Sequence, residues 1–194
     1  MIDYTTSVFD RDLMGIIDLQ KSNLPVQLSQ EEMQREGFVT VVHSFDDLKG
    51  MNDIAQHVIA KDTDKVVAYL LAMTAKSKYV IPILVPMFEV FDEVDYRGKR
   101  VADYNYIVVG QVCVGKAYRG QGILDKCYET YSNNFSSRYD FAITEIATKN
   151  SRSINAHKRI GFEEIHKYVA PDKEEWSIVV WDWKNNSDSI NKLS

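Results

Sequence analysis

Between Val112 and Tyr131 the chain reads VCVGKAYRGQGILDKCYETY: an apolar run, a turn with two cations that closes on Gly120 and Gly122, then apolar residues at helical spacing. No other stretch restricts the fold as strongly, because it asks for a buried strand that passes straight into a helix. At a helix start the first amide N–H groups have no intrahelical acceptor, and the macrodipole adds about half a positive charge, so an anion is stabilised there by backbone alone. Gly120 and Gly122 let that backbone approach a ligand closely. Lys116, Arg119 and Lys126 give the turn a positive field, although the whole chain carries 28 acidic against 23 basic residues. The turn is a candidate cradle for a diphosphate.

Spacing decides among phosphate loops. A P-loop needs Lys and then Ser or Thr after its last glycine, whereas Gly122 is followed by Ile123 and Leu124. A dinucleotide fingerprint needs a third glycine where this chain has Asp125, and the preceding strand falls late, among segments that read as antiparallel. A plain strand-to-helix connection, and a nucleotide-binding regulatory domain built on the same turn, both stay open at this point.

The flanking sequence supplies a sheet and its helices. Tyr4 to Phe9 reads as a short strand, and Leu13, Ile16 and Ile17 mark an amphipathic helix over 10–19. Ser29 as cap, Glu32 three residues on and Gly37 as stop predict a second short helix, followed by a strand over 38–45. Asp46 and Asp47 open another helical turn, and KDTDK joins two β-rich runs as a hairpin. Further on, strands are expected over 106–114 and 139–147, helices over 121–135 and 150–160, and a closing pair of strands over 162–169 and 176–183.

Residues 76–103 are the least regular part. Pro82 and Pro86 interrupt an apolar, aromatic segment that ends in Glu89, Asp92, Glu93 and Asp95. It reads as an insertion in a single domain over 1–184, with Phe88 and Phe91 either packed on the core or forming a lid over an acceptor pocket or a homodimer contact. The tail over 185–194 is small and polar.

Totals exclude several classes. A net charge of −5 argues against nucleic acid as a partner. No stretch approaches ~18 consecutive apolar residues, and the opening MIDYTTSVFDRD has neither basic leader nor apolar signal core, so no membrane contact and a cytoplasmic location are expected. Cys113 and Cys127 form no CxxC pair and have no histidine cluster at ligand spacing, so reduced thiols and no metal are expected.

A second segment lies about 30 residues beyond the first: NSRSINAHKRIGF, from Asn150 to Phe162. Asn150 suits a helix N-cap and Gly161 a left-handed C-terminal stop. His157 is three residues from both Ile154 and Ile160, so it shares the apolar side of that helix. Together the two segments resemble the GNAT superfamily of acyl-CoA-dependent N-acetyltransferases. Its phosphate loop, R/Q-x-x-G-x-G/A, is met by Arg119, Gly120, Gln121, Gly122 and Ile123, with Leu124 in place of the final small residue. Its N-x-x-A-x-x-x-Y-x-x-x-G-F helix is met by Asn150, Gly161 and Phe162, with Ser153 for Ala and His157 for Tyr.

The resemblance implies an α+β fold in α/β/α layers: a mixed, mostly antiparallel sheet of about seven strands, two of them splayed at the centre, flanked by helices. It implies acetyl-CoA as cofactor, its diphosphate on the amides of 119–124 and its pantetheine arm paired with the backbone at Val112, Cys113 and Val114, where an N–H would receive the oxyanion. Asn150 would turn its carboxamide to that arm. The reaction implied is direct acetyl transfer to a primary amine of a small molecule or a peptide, with His157 or Tyr128 protonating the thiolate. Our choice of base, at the end of the neighbouring strand, is Glu145, and the acids of 89–95 would attract a cationic acceptor. The rival is a domain of this fold that binds acyl-CoA without turnover.

Overall fold

A computed structural model of the chain describes residues 1–23, 43–79 and 81–184. The helix read from Ser29, Glu32 and Gly37, most of the strand expected over 38–45, and the tail over 185–194 lie outside these residues. Within the described part of that strand reading, Phe45 opens a helix instead, with Ser44 as its N-cap.

Seven strands form one sheet: β1 (Ile2–Thr6), β2 (Val58–Asp62), β3 (Lys65–Met73), β6 (Tyr106–Val114), β7 (Phe141–Ala147), β9 (Glu175–Asp182) and β8 (Glu163–Val169), in that spatial order. Every neighbouring pair is antiparallel except β6 and β7, which run parallel. A separate two-stranded ribbon, β4 (Asp95–Tyr96) and β5 (Lys99–Arg100), lies between β3 and β6 in sequence. The helices are α1 (Asp10–Lys21), α2 (Phe45–Ile54), α3 (Val85–Glu93), α4 (Ile123–Phe135) and α5 (Ser151–Ile160). The mixed seven-stranded sheet with flanking helices is the architecture expected from the sequence.

Alternating side chains divide the interior into two cores, one on each face of the sheet. On one face Leu13, Ile16, Leu48, Met51, Phe88 and Phe91 from α1, α2 and α3 pack on Tyr69, Leu71, Val108, Ile143 and Ile178. On the other, Ile123, Cys127, Tyr128, Tyr131 and Phe135 from α4 pack on Leu70, Ile107, Val109, Ala142 and Val179. Phe162, just after α5, joins that second core.

Local chemistry sets the helix boundaries. Ser44 caps α2, its hydroxyl accepting the Asp47 amide at 3.1 Å while the Asp47 carboxylate accepts from the Ser44 amide at 2.9 Å. Asp12 does the reciprocal job for α1, accepting the amides of Val8 and Phe9 at 3.0 Å each and pairing with Lys61 at 3.3 Å.

Residues 76–103 are more regular than their sequence suggests. Pro82 and Pro86 each sit in the first turn of a helical segment, where the missing N–H costs nothing, rather than interrupting it. Phe88 and Phe91 are fully buried against the first core. The ribbon is tied to β9 by Tyr96 and Arg97, which reach the Asp182 carboxylate at 3.0 and 3.4 Å.

Candidate functional site

The ladder between the parallel strands is short. It pairs Tyr106 with Phe141, Ile107 with Ala142 and Val108 with Ile143, and there it ends, although β6 runs on to Val114 and β7 to Ala147. The strands diverge as a fork. Two carbonyls at its crotch are satisfied by side chains: Thr144 Oγ1 donates to Val109 O at 2.7 Å, and Tyr131 Oη donates to Val108 O at 3.0 Å. On its other edge β6 stays paired with β3 through a bulge at Gly110 and Gln111, where three steps along β6 match two along β3. At Gly110 the Met73 side chain lies over the backbone, where a Cβ would meet its Cε at 2.1 Å and displace it.

The fork opens into a cleft of about 790 Å³ that continues to the start of α4 and the face of α5. Val112, Cys113, Val114, Arg119, Gly120, Gly122, Ile123 and Leu124 line it from β6 and the loop, with Glu145 from β7 and Asn150 and His157 around α5. Eleven of the thirteen residues singled out from the sequence are thereby brought together. Gln121 is turned away, its amide donating to Ala117 O at 2.9 Å, and Tyr128 is buried behind His157.

At the head of the cleft Gly120 and Gly122 adopt φ of 73° and 75°, the left-handed region where a side chain costs about 1–2 kcal/mol. Space is not the constraint, since nothing lies within 4 Å of a Cβ built at either position. Unlike α2 and α5, which are capped by Ser44 and Asn150, α4 starts without a side-chain cap. Among the described residues none accepts the amides of Gly120, Gln121, Gly122, Ile123 or Leu124. Five donors therefore gather at the positive end of the α4 dipole.

The cations beside them do less than the sequence suggested. Arg119 folds back, donating from Nε to Val114 O at 2.9 Å and from Nη2 to Asn23 Oδ1 at 2.7 Å, so it braces the loop against the end of β6. Lys126 pairs with Glu129 at 2.7 Å. Arg159 of α5 clamps both carboxylate oxygens of Asp125 at 3.0 and 3.1 Å, joining α5 to the first turn of α4 at the cleft's rim.

His157 is 4% exposed and fully engaged. Ser153 O, an acceptor only, takes the Nδ1 proton at 2.7 Å, which leaves Nε2 to accept from Tyr128 Oη at 2.6 Å. Burial lowers its pKa to about 4, so the ring is neutral at physiological pH. Burial likewise pushes the Tyr128 hydroxyl far up and the Cys113 thiol up to about 12, so neither ionises readily.

Glu145 follows Ile143 on the face shared with α1 and α2, while Val112 and Val114 face α4. Burial raises its pKa, partly offset by the Tyr168 hydroxyl that donates to Oε2 at 2.5 Å. Sequence reading missed Tyr168, and also Thr144 and Trp176, which both line the cleft. None sits in a motif, and Tyr168 and Thr144 matter through partners on other strands. Of the acids in 89–95 none lines the cleft. Asp92 is held by Lys78 at 3.3 Å and Tyr106 at 3.1 Å, and Asp95 by Arg100 at 3.4 Å, so they serve the packing of the 76–103 segment. No described helix is long and apolar enough to cross a membrane.

No family model matches the sequence, and no curated protein matches it. Solved structures do match. A GNAT-family acetyltransferase from Streptococcus agalactiae superposes with a TM-score of 0.64 at 9% identity, over 94% of this chain and 96% of the other. A chain of the NatC complex bound to Gag peptide and CoA gives 0.63 at 13% identity, over 94% and 99%. The ribosomal-protein-S18-alanine N-acetyltransferase of Escherichia coli gives 0.59 at 12% identity, over 94% of each.

Proposed function

On the premise that the chain has the fold of the GNAT acetyltransferases, we propose that it is an N-acetyltransferase. It passes an acetyl group from acetyl-CoA directly to a primary amine of a small molecule or a peptide, with both held at once. One observation carries the reading: the open edge of β6 leads straight to five unpartnered amides at an uncapped helix start.

That donor set fits coenzyme A. A diphosphate needs several N–H donors in one place, and the amides of Gly120 to Leu124 supply them. A pantetheine arm carries amides of its own and pairs as an added strand with backbone that has lost its neighbour, here Val112, Cys113 and Val114. The Asn150 side chain is at hand beside it. Bound acetyl-CoA supplies the acyl group in activated form, as a thioester.

The chain's own residues then divide the work. An amide near Val114 polarises the acyl carbonyl, a contribution commonly worth about 3 kcal/mol. Glu145 removes a proton from the incoming ammonium, because only the neutral amine is a nucleophile. His157 and Tyr128 we assign to holding α5 against α4, since both ring nitrogens and the hydroxyl are already committed. Solvent then protonates the departing thiolate.

The commitment of His157 also favours the second reading, an acyl-CoA-binding domain without turnover. Calorimetry with CoA, followed by thiol release from acetyl-CoA in the presence of short peptides with free N-termini and of aliphatic diamines, separates them. Binding with amine-dependent thiol release supports transfer. Binding without release across both amine classes supports the second reading, and absence of binding overturns both.

A further inference from the structure

Glu145 stands two residues beyond the last rung of the parallel ladder, at the point where β7 has left β6 but is still paired with β9. A carboxylate in such a place is costly to bury and free to rotate. One contact answers both: Tyr168, on the edge strand β8, lies across β9 and donates its hydroxyl to Oε2. Tyr168 does not line the cleft, whereas Glu145 does. Its ring packs against the first core, and its hydroxyl is drawn toward the fork.

We propose that Tyr168 is the positioning residue for Glu145 as proton acceptor, anchoring Oε2 so that Oε1 faces the acceptor side of the cleft. This rests on the acetyltransferase reading above. The step balances simply. The acceptor ammonium gives one proton to Oε1; the freed nitrogen lone pair forms the new C–N bond; the C–S bond breaks with its electron pair leaving on sulfur, and the nitrogen's second surplus proton passes through solvent to that thiolate, leaving a neutral amide and a thiol. The hydrogen bond from Tyr168 stabilises the carboxylate over the acid, so it sets the pH above which Glu145 works.

Among the described residues, few ionisable groups act on this pair. Tyr168 is the contact from β8, and Asp172 in the turn after β8 acts on Tyr168. Ile178, opposite Glu145 on β9, is apolar. Cys113 from β6 and Arg152 and His157 from α5 line the same cleft.

The experiment compares kcat/KM against pH for the intact chain, Tyr168→Phe and Glu145→Gln with one acceptor amine. Tyr168→Phe should move the acid limb up by about one pH unit while keeping the high-pH plateau within about threefold, the response to one lost charge-assisted hydrogen bond. Glu145→Gln should remove the limb and most of the rate. A Tyr168→Phe profile that is lower at every pH with its limb unmoved overturns the proposal, since that is what a purely structural tyrosine would give. Should Tyr168→Phe not fold, fluorotyrosine incorporated throughout the chain makes the phenol a stronger donor and should move the limb down; an unmoved limb again overturns it. A chain that does not bind or turn over acetyl-CoA refutes the acetyltransferase reading instead, and carbon NMR titration of Glu145 with and without the Tyr168 hydroxyl then tests the contact by itself.

Discussion

Two buried histidines should make the fold sensitive to mild acid. His57 is fully buried: Ala72 donates its amide to Nδ1 at 3.1 Å, which places the proton on Nε2, donated to Leu48 O at 3.1 Å. His157 holds the opposite tautomer, with Nδ1 donating and Nε2 accepting. Burial lowers both pKa values from 6.5 to about 4. A group whose folded pKa is depressed in this way binds its proton only in the unfolded chain between those limits, so stability is complete above pH 6.5 and falls as the pH drops toward 4. One pH unit below 6.5, each ring accounts for about 1.4 kcal/mol, and the pair for roughly 3 kcal/mol, out of a total that is typically 5–15 kcal/mol. His43, also lowered by burial, adds in the same direction, while Glu145, raised by burial, works the other way. Asp12 and Asp140, held below the usual carboxylate range, begin to matter only in stronger acid. Urea unfolding followed by circular dichroism at pH 7.5 and 5.5 measures the loss directly. A midpoint that does not move, or a loss that persists undiminished in His57→Gln/His157→Gln, would refute the argument.

Other perturbations have separable outcomes. Gly122→Ala, forced to φ 75° in open space, should cost about 1 kcal/mol in thermal melts. The same change should weaken CoA binding by at least tenfold in calorimetry, because a displaced α4 start misaligns the amides. Phe88→Ala removes a fully buried ring from the first core and should cost about 3–5 kcal/mol in urea unfolding, whereas Glu93→Gln on the same helix should leave stability and turnover unchanged. Ser44→Ala deletes the cap of α2 and should cost about 1 kcal/mol.

Periodicity made much of this molecule readable from sequence. The strand over 106–114 and the helix ending at Phe135 fall where apolar spacing put them, and Gly120 and Gly122 occupy the loop that the turn chemistry required. What stayed hidden depends on partners rather than pattern. Val108 to Val114 alternate in the same way whether or not their far edge is paired, so the fork leaves no trace in side chains and was expected only through the family resemblance. Gly110, a glycine inside a strand, was the available sign of the bulge. The helical spacing of His157 disclosed an apolar face but not Tyr128, 29 residues earlier on another helix. The prolines at 82 and 86 read as breaks in the sequence because a proline marks a helix start as readily as an end, and only the fold distinguishes the two.

The hydroxyls of Thr144 and Tyr131 have an effect on ligand entry. By occupying the carbonyls of Val109 and Val108, they remove the acceptors that would let the two parallel strands zip further together. The separation of β6 from β7 is thus held by the protein's own side chains, and on the acetyltransferase reading an added strand would meet backbone already set apart instead of having to unfasten it. On that reading, loading needs little rearrangement of the sheet, which favours speed and leaves selectivity to the walls.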